Sequence, residues 1–299
     1  VEQRTDEKGL ASAFLAHGLW GVFPLYFHLL SRSGAVEIVA HRIAWTLVFC
    51  VIGVTVVGAW GKVRSVVADR GLVATLLGAG VLVSLNWLIY IYAVATDRVV
   101  DGALGYFINP LVTVLLAIVV VREKVRTAQL VALLIGVAAV LVIVIGLGRV
   151  PWISLGLAAS FGAYSLAKNR VGHRASPVIG LGVEALALAP VSVGYIVVIE
   201  LLGRGTFTTV SPAYSLLLAT TGVVTAIPLL LFAVGAARLN LVTLAFIQYV
   251  TPIMQFLIGV LVFHEHMPVV RWVGFGLVWA ALVVLSWDMV RRARSRGAA

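Results

Sequence analysis

The sequence predicts an all-α polytopic membrane protein. It has ten transmembrane helices, arranged as two inverted five-helix repeats with both termini in the cytoplasm. Three observations predict it. First, the 299 residues are 62% hydrophobic and only 11% charged, with a mean hydropathy of +1.09. Soluble domains carry about 25% charged and 45–50% apolar residues. So much apolar side chain calls for lipid as the solvent, and it excludes a secreted disulfide scaffold, a disordered chain or a cytosolic enzyme. Second, the chain divides into ten apolar runs of spanning length. Third, its two halves repeat one another.

A span takes about 20 mostly apolar residues. Such runs fall at approximately 9–31, 36–58, 71–95, 102–121, 127–147, 151–168, 177–202, 212–236, 240–263 and 268–290. Stretches such as VLLAIVVV do not alternate polar with apolar, so they are helices rather than barrel strands. The polar start VEQRTDEKG leads into a long apolar run without a small-residue cleavage site, so the first span is expected to be uncleaved. Pro151, Pro177, Pro212 and Pro268 fall in first turns, where a missing N–H costs nothing. Pro24, Pro110, Pro190, Pro228 and Pro252 fall inside runs and predict kinks. Trp60, Trp152, Trp272 and Trp287 near run ends read as interfacial anchors.

The basic residues orient the bundle. Sixteen of the 22 Lys and Arg lie on the side of the N-terminus and six on the other, which puts both termini in the cytoplasm. The formal charge of +10 is therefore a signature of orientation, and no nucleic-acid partner is expected. Lone Cys50 forms no internal disulfide. No phosphate-binding GxxxxGK[ST], HExxH or CxxC pattern occurs, so neither a cofactor nor a metal is expected, and His264-Glu265-His266 is too compact for a zinc pattern.

The repeat is carried by GYFINPLVTVLLAIVVVREKV and IQYVTPIMQFLIGVLVFHEHM, which align without gaps and pair Pro110 with Pro252 and Glu123 with Glu265. Gly21 pairs with Gly162, and Arg98 with Arg238, so the offsets stay within 140–142. The units are 1–150 and 151–299. Five spans being odd, the second copy enters the membrane upside down. Inverted repeats place a substrate site near the midplane and give alternating access by exchanging conformations.

Polar groups at membrane depth are costly and mark function by default. His17, Trp20, Pro24 and His28 share a helical face, as do Asn86 with Tyr90, Tyr106 with Pro110 and Thr113, and Gln248 with Pro252, Gln255 and Gly259. Interhelical hydrogen bonding is the alternative role for each. The second span opens with Glu37, His41, Arg42 and Trp45, so Arg42 lies about 9 Å below the outer interface, unless it snorkels outward. Glu184 lies about as deep from the inner side. It is open to binding a cationic group, carrying a proton, or pairing with a bundle arginine or histidine. Glu123 and Glu265 suit loop ordering and helix capping.

The motifs GLWGVFPLYF (18–27), EIVAHRIAW (37–45), NWLIY (86–90), LGYFINP (104–110) and FIQYVTP (246–252) resemble the RarD branch of the EamA-type drug/metabolite transporters. The resemblance spans nearly the whole chain. It implies a ten-helix permease with a central cavity lined by Trp20, Tyr26, Asn86, Tyr90, Tyr106, Asn109, Gln248 and Tyr249. Arg122-Glu123 and His264-Glu265 replace the Gly-Glu common in the family, and His28 stands where lysine is frequent.

The expected function is secondary transport of a small organic solute, with export implied by the resemblance alone. Asn86, Asn109, Gln248 and Gln255 would orient the solute, and Arg42 and Glu184 would supply charge, as for a zwitterion. The alternatives are a lipid-linked carrier flippase and, less favoured, a membrane-embedded transferase. The transferase would need clustered acids or histidines that this sequence lacks. The expected partners are the solute and membrane lipid, with proton coupling open through Glu184; the oligomeric state is left undetermined.

Overall fold

The computed structural model describes residues 7–120, 122, 126–171, 174–239 and 241–297; Glu123 falls outside them. No strand occurs among the described residues. The helices are α1 (Glu7–Gly21), α2 (Phe23–Leu29), α3 (Ala35–Val57), α4 (Trp60–Ala68), α5 (Arg70–Ala95), α6 (Val99–Val119), α7 (Thr127–Leu147), α8 (Trp152–Val171), α9 (Pro177–Leu201), α10 (Pro212–Ala219), α11 (Thr221–Arg238), α12 (Leu241–Ile247), α13 (Val250–Leu261) and α14 (Val269–Gly297). Each apolar run of the sequence coincides with one helix or with two consecutive ones, and α4 is a short extra helix in the connector after α3.

By length and composition, seven helical segments can cross a membrane, or eight when α1 and α2, bent by 41°, count as one. Two predicted runs fall short, each for a visible reason. In α8, Ser, Gly and Ala dilute the hydropathy and Lys168 sits near its end, because this helix is packed between α5 and α6 rather than facing lipid. The ninth run breaks at Gln248-Tyr249, leaving α13 with only 12 residues.

The interior prolines act in two ways. Pro110, Pro190 and Pro228 lie within continuous helices. Pro24 and Pro252 instead stand in the first turns of α2 and α13, directly after breaks. The Pro24 ring cannot bond the carbonyl of Trp20 one turn back. Gln255 of α13 fills that gap: its Nε2 donates to the Trp20 carbonyl at 3.1 Å.

Helix contacts follow an exchange pattern. α3 packs on α9, α7 on α14 and α6 on α13; α6 lies on α8 as α13 lies on α1; α5 lies on α8 as α11 lies on α1; α3 lies on α11 as α9 lies on α5. Two glycines show the pattern at atomic scale. A Cβ on Gly21 would meet Met254 Sδ at 2.7 Å, and one on Gly162 would meet Val112 Cγ1 at 3.1 Å. Small residues let helices approach closely where lipid supplies no hydrophobic drive. The glycines are 141 residues apart and their partners 142.

The two larger of four apolar clusters among the described residues make up most of the core. Phe27, Ile38, Ile91, Leu157 and Tyr214 belong to one, and Phe107, Ile143, Phe256 and Phe275 to the other. Trp60, Trp152, Trp272 and Trp287 are 44%, 46%, 45% and 72% exposed, as interfacial anchors require.

Candidate functional site

Arg42 is the most unusual group in the bundle. α3 carries it seven residues past Ala35, and only 4% of it is exposed. Its Nε donates to Thr225 Oγ1 on α11 at 2.8 Å, the only hydrogen bond the guanidinium makes among the described residues. Aromatic rings enclose the rest. The guanidinium carbon stands 4.0 Å from the Trp87 ring centre, 5.4 Å from Phe27 and 5.6 Å from Phe23. Tyr26, Tyr90 and Tyr106 pack in the same apolar cluster as Phe23, Phe27 and Trp87. Among the described residues, no carboxylate lies within ion-pairing distance of Arg42. A desolvated cation–π contact stabilises a guanidinium by about 2 kcal/mol. That offsets only part of the several kcal/mol that burying an ion costs.

Four predicted site residues, Tyr26, Asn86, Tyr90 and Tyr106, gather around this cage, and most of their polar groups are already engaged. The Asn86 amide donates to the Leu157 carbonyl and to Ser160 Oγ, both at 3.0 Å, while its Oδ1 accepts from the Tyr106 hydroxyl at 3.2 Å. The Tyr26 hydroxyl donates to the Leu217 carbonyl at 2.9 Å and meets Thr220 Oγ1 at 3.0 Å, closing the α10–α11 break. Tyr90 is different. Its ring stands 5.7 Å from Tyr106 and 6.2 Å from Phe27, and its buried hydroxyl has no partner among the described residues. Asn109 Oδ1 is likewise buried and unpartnered.

Trp20 lies on a neighbouring face with His17 and Phe232, at ring separations of 5.1 and 5.8 Å. His17 is tied to α13 by Thr251, whose hydroxyl donates to the His17 carbonyl at 2.9 Å. Gln255, also on α13, is committed to the Trp20 carbonyl. Gln248 is exposed at the α12–α13 break, and the Tyr249 hydroxyl lies beside Ser286 on α14. Thr113 is exposed and bonds back to the Asn109 carbonyl. The structure therefore does not bring these last three to the Arg42 cage.

Glu184 stands seven residues past Pro177 in α9 and is 2% exposed. Its partner is a lysine: Lys168 Nζ donates to Glu184 Oε1 at 2.6 Å, and Lys168 also stands over the Tyr164 ring at 5.8 Å. Oε2 is buried without a partner among the described residues. Glu184 shares a crevice wall with Thr46, Ser84 and Trp87, so Trp87 separates the two deep charges.

One end of the bundle is tied by acids. Glu37 accepts from Thr206 N at 2.6 Å and from Thr206 Oγ1 at 2.8 Å, pinning the 202–211 connector to α3, while His41 stacks on Phe207 at 4.9 Å. Glu265 accepts from the amides of Val99 and Val100 and so caps α6 across the halves, as its place in the sequence suggested. Burial pushes its carboxyl up to about 7, against the pull of those two amides and of nearby Arg271. Asp101 beside it is held by Arg98 at 2.7 Å and Arg271 at 3.3 Å.

Sequence reasoning overlooked Trp87, Phe23, Phe27, Phe232, Thr225 and the partnership of Lys168. Trp87 was within reach, since it adjoins Asn86 in the NWLIY motif. Thr225 and Lys168 gave no local signal.

Together these features define a polytopic helical membrane protein with a polar and aromatic interior and a buried cation, the architecture of a permease. The family follows from comparison. The EamA-like transporter family matches residues 7–145. Protein RarD of Streptomyces exfoliatus is 46% identical over 98% of this chain and 91% of its own length. The uncharacterized transporter YojE of Bacillus subtilis is 37% identical over 99% of each chain. A crystal structure at 18% identity shares the fold, with a TM-score of 0.59 over 92% of this chain and 96% of the other. The chain belongs to the EamA-like transporter family, in its RarD branch.

Proposed function

We propose that this protein is a secondary transporter that moves a small organic solute across the cytoplasmic membrane by alternating access between two inverted five-helix halves, 1–150 and 151–299. The exchange pattern of helix contacts supports the reading: α1, α3, α5, α6 and α7 trade places with α8, α9, α10–α11, α13 and α14, and the six contacts paired above are kept. A duplicated, inverted unit of this kind has two equivalent conformations by construction, and swapping them opens one side while closing the other. In this reading both termini are cytoplasmic, α12–α13 completes the ten spans, and Glu37 and Glu265 close the outer end. Export rests on family analogy.

Reconstituted proteoliposomes test the reading. A solute preloaded inside should drive uptake of its labelled form, saturably and without ATP. Flux equal to that of empty liposomes across amino acids, organic acids, amines and antibiotics would remove the transporter reading. Topology has its own test: an exported-only reporter enzyme fused after Ala299 should be inactive, and strong activity would place the C-terminus outside.

A further inference from the structure

We infer that Arg42 is the anchor for a carboxylate on the transported solute, and that the substrate class is a small monocarboxylic acid with an apolar or aromatic body. The inference rests on the transporter reading above and narrows it.

Four observations lead there. The guanidinium is buried, yet it makes one hydrogen bond, to Thr225, and has no acid partner among the described residues. A protein that keeps an arginine in such a place forgoes stability, because replacing an unpaired buried charge by an apolar side chain costs nothing electrostatically. The terminal nitrogens of an arginine form a planar fork that fits the two oxygens of a carboxylate. Around the fork, Trp87 at 4.0 Å and Phe27 at 5.4 Å offer ring faces rather than polar groups. Tyr90 adds a buried hydroxyl without a partner, next to Tyr106.

The charge balance also sets the class. Among the described residues Arg42 is the one cation seen over these rings, so a monoanion is neutralised by it and a dianion is not. A zwitterion would need a free acid nearby. Glu184 is already engaged by Lys168 at 2.6 Å and lies beyond Trp87. With Lys168 matching that carboxylate, the solute's ammonium would add a positive charge with no counterpart. A simple acid brings no such charge.

The test uses the full-length purified protein and matched pairs: phenylacetate with phenylacetamide, indole-3-acetate with indole-3-acetamide, and octanoate with octanamide. Dissociation constants come from saturation of thermal stabilisation. At least one acid should bind about tenfold or more tightly than its amide, and Arg42→Gln should erase the difference while leaving the amide unchanged. Should Arg42→Gln fail to fold, Arg42→Lys serves, since an ammonium cannot make the two parallel bonds and should weaken the acid by about tenfold. If no acid outbinds its amide, or if the folded variant keeps the wild-type preference, the assignment is overturned. Saturable binding of amines or neutral solutes instead would overturn it while leaving the transporter reading intact.

Discussion

Arg42 and Glu184 occupy the same place in the two halves, each seven residues into a long helix and each almost fully buried. Their treatment is opposite. Glu184 is met by Lys168 from the end of α8, so its charge is matched inside the protein. Arg42 is met by rings and one hydroxyl, so its charge is left unmatched. A matched charge belongs to the fold. On the inference drawn above, an unmatched one is a receptor for the opposite sign. On the repeat reading the two places differ by one helical position: at the 141-residue offset that pairs Gly21 with Gly162, the counterpart of Lys168 is Phe27, a ring 5.4 Å from the Arg42 guanidinium.

If this contrast is real, substitutions at the two places should separate stability from transport. The largest stability effect belongs to Lys168→Met, which strands a buried carboxylate. We expect a loss of about 3 kcal/mol, seen as a lower unfolding midpoint in detergent. Adding Glu184→Leu should restore most of it; failure of the double variant to recover would mean that Lys168 serves more than this pair. Next comes Asn86→Leu, which breaks three hydrogen bonds between α5, α6 and α8. About 2 kcal/mol is the expected cost, and a neutral outcome would return Asn86 to the list of groups free to hold a solute. Gln255→Leu should cost about 1 kcal/mol, since it frees the Trp20 carbonyl left open by Pro24.

Arg42→Met should break the pattern. It removes an unpaired ion from a ring of aromatic side chains, so stability should stay within about 1 kcal/mol of wild type or rise, while proteoliposome flux collapses. A drop of the size seen for Lys168→Met would place Arg42 among the structural charges.

The smallest effect is a pH slope from Glu265. Its carboxyl titrates near 7 in the folded protein, above the ordinary carboxylate range. The folded state therefore holds the proton where the unfolded chain has released it, and this group's contribution to stability falls as pH rises from about 4.5 towards and through 7. Glu265→Gln should flatten that part of the midpoint-versus-pH curve; an unchanged slope would assign it to other groups, with His264 and His266 adjoining.

Much of the fold was legible because its determinants are local. Apolar runs, first-turn prolines and charges at run ends mark helices without reference to any partner. The broken spans were less legible. Pro24 and Pro252 signalled distortion, but whether a proline bends a helix or starts a new one depends on who satisfies the freed carbonyl, and for Pro24 that group comes from Gln255, 235 residues away. The candidate site was legible in its residue types and not in their employment. Asn86, Tyr26 and Gln255 are polar groups at membrane depth, as read, and the structure shows them engaged in helix-to-helix bonds. Gln248, chosen by helical face and by motif, and Tyr249, chosen by motif alone, are turned elsewhere by the α12–α13 break.

The sequence by itself determined the apolar character, the helices and the spacing of 142 residues between Arg42 and Glu184, because lipid filters side chains by polarity and helix signals are local. Only the tertiary structure decided which charge was neutralised. Lys168 and Thr225 reach Glu184 and Arg42 from other helices, and Trp87 comes between the two charges through the packing of α5 against α3 and α9. Electrostatic balance at membrane depth falls steeply with distance. It is therefore set by contacts of a few ångströms that no spacing along the chain encodes.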